Sequence, residues 1–362
     1  MHPSIIKLIN AYEQMIKKSA AGSVYNVCSN KTTSIGDILE ILVSYASKKI
    51  NIVVDPEKFR KKVRKEVWDL SKNTSGISID FSTNSSFIEL HWEVLNNFAM
   101  NHMPNTGIKG LDLYIKLKDR WTYAGTGIPG GKKNKLRIIK DLKTYEREYR
   151  LYLPLYDGIK TLDIGLNTGS TFKEVETKKK SKPLVFYGTS ITQGGCASRP
   201  GLAHTNIVAR DTGLECLNFG FSGNGCLEKN IGNILSKIDA KLFIIECMQN
   251  VSVELIKERL ISLVTLIRKN QDAPIVLMSE PQFKYNDLNQ LFWQDQIAKN
   301  RQLEIEYKNL KKNNISNIYM IDEPHAIGED DEGTIDGVHF NDLGFQRYAH
   351  YLTRNLKSLE LI

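Results

Sequence analysis

The apolar positions of this chain follow two different periods. Beyond about residue 181, short apolar runs at 184–187, 216–219, 242–246, 275–278 and 318–321 alternate with longer mixed segments. Runs of that kind predict strands buried on both faces. Helical spacing recurs over 204–211, 253–269, 288–312 and 343–356. Strand–helix alternation predicts a parallel sheet with helices on both sides, an α/β domain spanning 181–362. Ligands in such sheets bind at the carboxyl ends of the strands.

Between about residues 63 and 180 the period is two. Ile77, Ile79 and Phe81 alternate with polar residues, as do Ile88, Leu90, Trp92 and Val94, and then Leu111, Leu113 and Ile115. Turns rich in Asn, Ser and Gly separate them, which predicts an antiparallel β-sandwich over 62–180. Residues 1–61 read as helix, strand, helix, strand, a small α/β segment too short to cover its own apolar faces. Those faces carry Ile5, Ile6, Leu8 and Ile9, then Ile38, Leu39, Ile41 and Leu42. The segment is expected to pack on the sandwich or on a second chain.

Composition narrows the function. The chain has 362 residues and a net charge of +8. Its lysines are dispersed, and the densest cluster, Lys178-Lys179-Lys180-Ser181-Lys182, falls at the expected domain junction. No nucleic-acid motif accompanies it, so no nucleic-acid partner is expected. No stretch approaches the ~20 apolar residues of a membrane helix, so no membrane insertion is expected. Charges interrupt every apolar run near the N-terminus, which leaves a cytoplasmic location as the expectation. The five cysteines are scattered and lack CxxC spacing. They read as reduced thiols, with no metal and no cofactor expected.

The candidate chemistry lies where a strand ends. Leu184-Val185-Phe186 leads into Tyr187-Gly188-Thr189-Ser190-Ile191-Thr192-Gln193-Gly194. A serine between glycines there sits on a tight strand-to-helix turn with its hydroxyl exposed. Near the C-terminus, Asp336-Gly337-Val338-His339 puts a carboxylate three residues before an imidazole. A histidine can take the serine proton, and a carboxylate can fix the imidazole tautomer.

Four segments, in order, resemble the SGNH (GDSL-like) hydrolase superfamily. Gly188-Thr189-Ser190-Ile191-Thr192 resembles the nucleophile block, with Ser190 in that role. Asn218-Phe219-Gly220-Phe221-Ser222-Gly223-Asn224-Gly225 resembles the second block, which maps the oxyanion-hole glycine to Gly223. Glu246-Cys247-Met248-Gln249-Asn250 falls where the third block lies, so the resemblance makes Asn250 the side-chain oxyanion donor. Asp336 and His339 match the last block. Thr189 stands where the namesake motif has Asp, and the third block lacks the Gly-x-Asn-Asp form. Both variations resemble a branch with an accessory, jelly-roll-like sandwich ahead of a flavodoxin-like hydrolase domain. The resemblance implies a serine esterase with catalytic Ser190, His339 and Asp336, and an oxyanion hole of Ser190, Gly223 and Asn250.

Thr189, Arg199, His204 and His102 are candidates for lining the substrate site. Two of these have a plainer reading: Arg199 as a solvated side chain and His102 as a turn residue. His325 reads as a solvated loop histidine, and Glu329-Asp330-Asp331-Glu332 as a solvated acidic loop rather than a cation site.

Residues 5–60 resemble the C-terminal portion of a GDP-mannose 4,6-dehydratase-type enzyme. The dinucleotide fingerprint is absent, and Tyr45 and Lys49 lie outside that enzyme's catalytic region, so dehydratase activity is not expected. The sandwich and this fragment together point to an O-acyl, most simply O-acetyl, esterase acting on a carbohydrate. The alternatives are an O-acyltransferase with the same triad, and a scaffold that contacts a nucleotide-sugar enzyme or a second copy through residues 1–60.

Overall fold

The computed structural model describes residues 25–26, 60–175, 181–281, 289–322 and 324–362. The expectations for residues 1–61 therefore lie almost wholly outside the described residues. Tyr25–Asn26 (β1) forms a two-residue antiparallel pairing with Asp163 and Ile164.

The sandwich contains β2 (Ser78–Thr83), β3 (Ile88–Val94), β4 (Leu111–Leu117), β5 (Arg120–Gly127), β6 (Lys133–Ile139), β7 (Arg147–Tyr152), β8 (Ile159–Gly165) and β9 (Lys173–Glu174). One sheet has the order β1-β8-β3-β6 and the other β5-β4-β7-β2-β9, with antiparallel pairing throughout. The period-two pattern sets the inner faces. Ile88, Leu90, Trp92 and Val94 point inward from β3, against Leu111, Leu113 and Ile115 of β4. On β4 the alternation does not end in solvent. Asp112 and Tyr114, on its other face, are also buried, because that face meets the C-terminal α/β domain.

The second half builds a five-stranded parallel sheet from β10 (Leu184–Gly188), β11 (Cys216–Gly220), β12 (Leu242–Glu246), β13 (Ile275–Met278) and β14 (Ile318–Ile321). The order is β11-β10-β12-β13-β14. This is the doubly wound order with its switch point beside β10. Alternate β10 side chains serve opposite cores: Val185 and Tyr187 pack with Leu260, Leu263 and Val264, while Leu184 and Phe186 pack with Val208, Phe345 and Leu352. A strand buried on both sides has no polar positions to alternate, which explains its unbroken apolar run.

The two halves share a core. Met103, Ile108, Leu155 and Tyr156 of the sandwich are buried among Ile191, Ala197 and Ala203 of the α/β half. Each fully buried apolar side chain contributes roughly 1.5–3 kcal/mol, so the contact holds the halves together. Backbones approach closely there. A Cβ on Gly107 would strike the Ala197 carbonyl oxygen. The site thus lies at the carboxyl edge of the parallel sheet, walled on one side by the sandwich.

Candidate active site

Strand β10 delivers the serine. Thr189 caps α1 (Ser190–Gln193), its Oγ1 accepting the Ile191 N–H at 3.3 Å. The Thr189 side chain is fully buried in this role. It therefore supports the turn. The turn is so tight that a Cβ on Gly188 would collide with Thr192 Oγ1 and lie 2.8 Å from the Glu246 carbonyl oxygen. The Ser190 carbonyl accepts from Gly194 N at 3.0 Å, Gly195 N at 2.7 Å and Tyr156 Oη at 3.2 Å. Tyr156 belongs to the sandwich, so the neighbouring half fixes the serine backbone.

The loop after β14 delivers the other two groups. Ser190 Oγ stands 3.0 Å from His339 Nε2, and His339 Nδ1 stands 2.7 Å from Asp336 Oδ2. Asp336 Oδ1 also accepts the backbone N–H groups of His339, at 2.8 Å, and Val338, at 3.0 Å. The three-residue spacing lets one carboxylate close the turn and hold the ring. Partial burial works to raise the Asp336 carboxyl. Donation from the His339 backbone, then from its ring and from Val338, overcomes this and holds it below the usual carboxylate range. Asp336 is thus an anion that keeps Nδ1 protonated and leaves Nε2 as the acceptor facing Ser190. The arrangement can remove the serine proton at a site where the serine is only 7% exposed.

Gly223 and Asn250 reach the same edge. Gly223, in the turn after β11, has φ +66°, a left-handed conformation that favours glycine. Asn250 ends a 3₁₀ turn, Met248–Asn250, after β12. Its Oδ1 accepts the Gly225 N–H at 3.3 Å, which leaves the amide NH₂ as the end to offer.

His102 reaches the site from the sandwich. Its ring centroid lies 5.6 Å from that of His339, and its Nδ1 lies 2.8 Å from Asn101 Oδ1. Two other candidates do not line the site. Arg199 Nη1 donates to Asp112 Oδ2 at 2.6 Å and Tyr114 Oη at 2.8 Å, and its guanidinium lies 4.2 Å from the Tyr123 ring centroid. It binds the two halves together because β4 presents a buried carboxylate to it. His204 is fully buried, with Nε2 3.1 Å from Glu246 Oε2 and its ring stacked on Phe345. Glu246 also accepts Thr192 Oγ1 at 2.8 Å and Tyr348 Oη at 2.9 Å. This buried cluster braces the Ser190 turn. His325 is largely exposed, 3.8 Å from Glu329, and Asp330 clasps Arg347 through two hydrogen bonds.

One neighbour of the site escaped the sequence reading. Cys196, with φ +77°, is buried directly after the serine helix. Burial and the Asp336 charge push its thiol up to about 12. The available signal was the Gly194-Gly195-Cys196 turn, whose Gly194 and Gly195 N–H groups return to the Ser190 carbonyl.

The profile of the GDSL-like lipase/acylhydrolase family matches residues 181–357. That of the N-terminal domain of SGNH-hydrolase-type esterases matches residues 47–172. A Bacteroides ovatus protein solved as a GDSL-like lipase is 33% identical, with a TM-score of 0.83 over 93% of this chain and 98% of that one. A salicylyl-acyltransferase from a tetracycline biosynthetic pathway has the same fold at 18% identity, with a TM-score of 0.67 over 84% and 88% of the two chains. A family two carbohydrate esterase from Clostridium thermocellum, solved with cellohexaose, has it at 12% identity, with a TM-score of 0.55 over 80% and 94%. A GDP-6-deoxy-D-mannose reductase from Pseudomonas aeruginosa is 33% identical over 60 residues, 17% of this chain, and the chain spans about a fifth of that curated relative. Among the described residues no helix is long and apolar enough to cross a membrane. The chain belongs to the GDSL-like lipase/acylhydrolase family, a family of serine ester hydrolases.

Proposed function

We propose that the protein hydrolyses short-chain O-acyl esters, most simply O-acetyl groups on a carbohydrate, through an acyl-enzyme on Ser190. The hydrogen-bonded chain from Ser190 Oγ through His339 to Asp336 carries this reading. His339 Nε2 takes the Ser190 proton as Oγ attacks the ester carbonyl. Asp336 stabilises the imidazolium, and His339 returns the proton to the leaving alkoxide. The Ser190 and Gly223 N–H groups and the Asn250 amide receive the oxyanion. One such side-chain donor is worth roughly 3–4 kcal/mol. Water, activated by His339, then releases the acid.

A nearly enclosed serine beside the sandwich wall supports a small acyl group, and His102 supplies a polar wall for a hydroxylated alcohol. The fold shared with the carbohydrate esterase supports a sugar as that alcohol. The greater likeness to the acyltransferase favours a second reading, in which an acceptor hydroxyl replaces water on the same acyl-enzyme. A cytoplasmic setting and a scaffold role for residues 1–60 remain proposals of the sequence.

Wild type and Ser190→Ala should be assayed on acetyl, butyryl and decanoyl p-nitrophenyl esters and on acetylated sugars, with and without a sugar acceptor. The proposal expects acetyl turnover well above decanoyl turnover and its loss in Ser190→Ala. Equal rates on acetyl and decanoyl esters would refute the short-chain assignment. Product partition between acid and acylated acceptor separates the two readings.

A further inference from the structure

We propose that His102, Cys196 and His339 form a site for a thiophilic divalent cation, with Zn²⁺ as the reference case, and that its occupancy switches the hydrolase off. One ligand atom from each residue lies within 4.8 Å of the others. The three come from different elements: a sandwich loop, the turn behind the nucleophile helix, and the loop after β14. One thiol with two imidazoles is a donor set that suits Zn²⁺ and its soft relatives over Mg²⁺ or Ca²⁺.

Hydrogen bonding prepares both rings. His339 Nδ1 is held at 2.7 Å by Asp336 Oδ2, and His102 Nδ1 at 2.8 Å by Asn101 Oδ1. In each case Nε2 is the nitrogen left to bind a metal. A ligating histidine whose other nitrogen donates to a carboxylate or amide oxygen is the usual outer-shell arrangement around zinc. Ligand atoms around tetrahedral zinc stand roughly 3.5 Å apart. Closing from 4.8 Å requires a modest rotation, and His102 sits on a loop that is only half-buried and can supply it.

Binding balances without redox chemistry. Zn²⁺ sheds water, Cys196 gives its thiol proton to solvent, and the two imidazoles bind neutral. The fourth position stays with water. His339 Nε2 cannot bind the metal and accept the Ser190 proton together, so an occupied site removes the base. The switching half of this inference rests on the esterase reading; the binding half does not.

The test separates the two. Zn²⁺ is titrated into the full chain by calorimetry, and Co²⁺ is followed by its thiolate charge-transfer absorption; ester turnover is measured independently. Expected are one saturable site per chain, a cobalt–thiolate band, and binding weakened at least about tenfold by Cys196→Ser and by His102→Gln, in line with loss of one ligand. Zn²⁺ should lower turnover in proportion to occupancy, a chelator should restore it, and each substitution should raise the half-inhibitory Zn²⁺ by the factor it weakens binding. Absence of saturable binding in the wild type overturns the site, as does binding indifferent to both substitutions. Binding that leaves turnover untouched overturns the switch. Binding to a chain that turns over no ester upholds the site while refuting the esterase reading.

Discussion

The contact between Arg199 and Asp112 sets a structural role for Arg199 against the substrate-binding role the sequence suggests. Asp112 is fully buried, and its Oδ2 receives Arg199 Nη1 at 2.6 Å and the Gly201 N–H at 2.8 Å. Burial pushes this carboxyl up to about 6, with Arg199 opposing. The guanidinium keeps about a fifth of its surface in water, so the cost of dehydration falls mainly on the acid. Replacing Arg199 with Met keeps the stem but leaves a buried carboxylate facing the Gly201 N–H, a long contact from Thr126 Oγ1, Tyr114 and the more distant Arg210. Breaking one side of a buried pair costs about 3–5 kcal/mol. At pH 7 the melting temperature should fall by on the order of 10 °C.

The pH dependence has a definite sign. The carboxyl's unfolded value is near 3.8, so the folded chain holds this proton more tightly. The associated stabilisation is complete below about pH 3.8 and is lost as pH rises through about 6. Removing the cation raises the folded value further. The deficit of Arg199→Met should therefore shrink at pH 5, where Asp112 is protonated, towards about 1–2 kcal/mol for a poorly satisfied neutral group. Asp112→Asn in the Arg199→Met background should recover most of the loss at pH 7, because no buried charge remains. Thermal melts at both pH values, with KM measured on an acetyl ester, decide the matter. A melting temperature unchanged at pH 7 together with a KM raised tenfold or more would refute the argument and make Arg199 a substrate ligand.

Other consequences follow from the serine turn and its partners. Ser190→Ala and His339→Ala should each remove nearly all turnover, and the double variant should be little worse than either, since the residues act as a unit; multiplicative losses in kcat would contradict this. Asp336→Asn should keep the fold but lower kcat by on the order of 10⁴-fold, because the carboxylate that holds the Nδ1 proton is gone; circular dichroism and kcat together test it. Gly188→Ala should destabilise by roughly 1–3 kcal/mol and lower kcat, since the new methyl meets Thr192 Oγ1 and the Glu246 carbonyl. A melt indistinguishable from wild type would show that the turn relaxes.

The parts visible in the sequence share a property: they are set by neighbours along the chain. An unbroken apolar run fixes β10, period two fixes β3, and three residues of spacing let Asp336 close a turn on His339. What the sequence hid depends on a surface from the other half of the molecule. The buried Asp112 and Tyr114 look like the solvent side of an amphipathic strand until the hydrolase half covers them. Arg199 looks free until that carboxylate arrives, and His204 looks like a pocket residue until Glu246 and Phe345 enclose it. Cys196 carries no motif, and only the fold sets it beside His102 and His339.

The same dependence sets the sandwich against the candidate site. Tyr156 holds the Ser190 carbonyl, His102 faces His339, and Met103, Ile108, Leu155 and Tyr156 complete a core begun by Ile191 and Ala197. A hydrolase half without that wall would expose these side chains to water and lose a hydrogen bond on the Ser190 carbonyl. Apolar burial at roughly 1.5–3 kcal/mol per side chain makes separation costly. The sandwich therefore shares a core with the α/β half and stands as a wall beside Ser190 and His339.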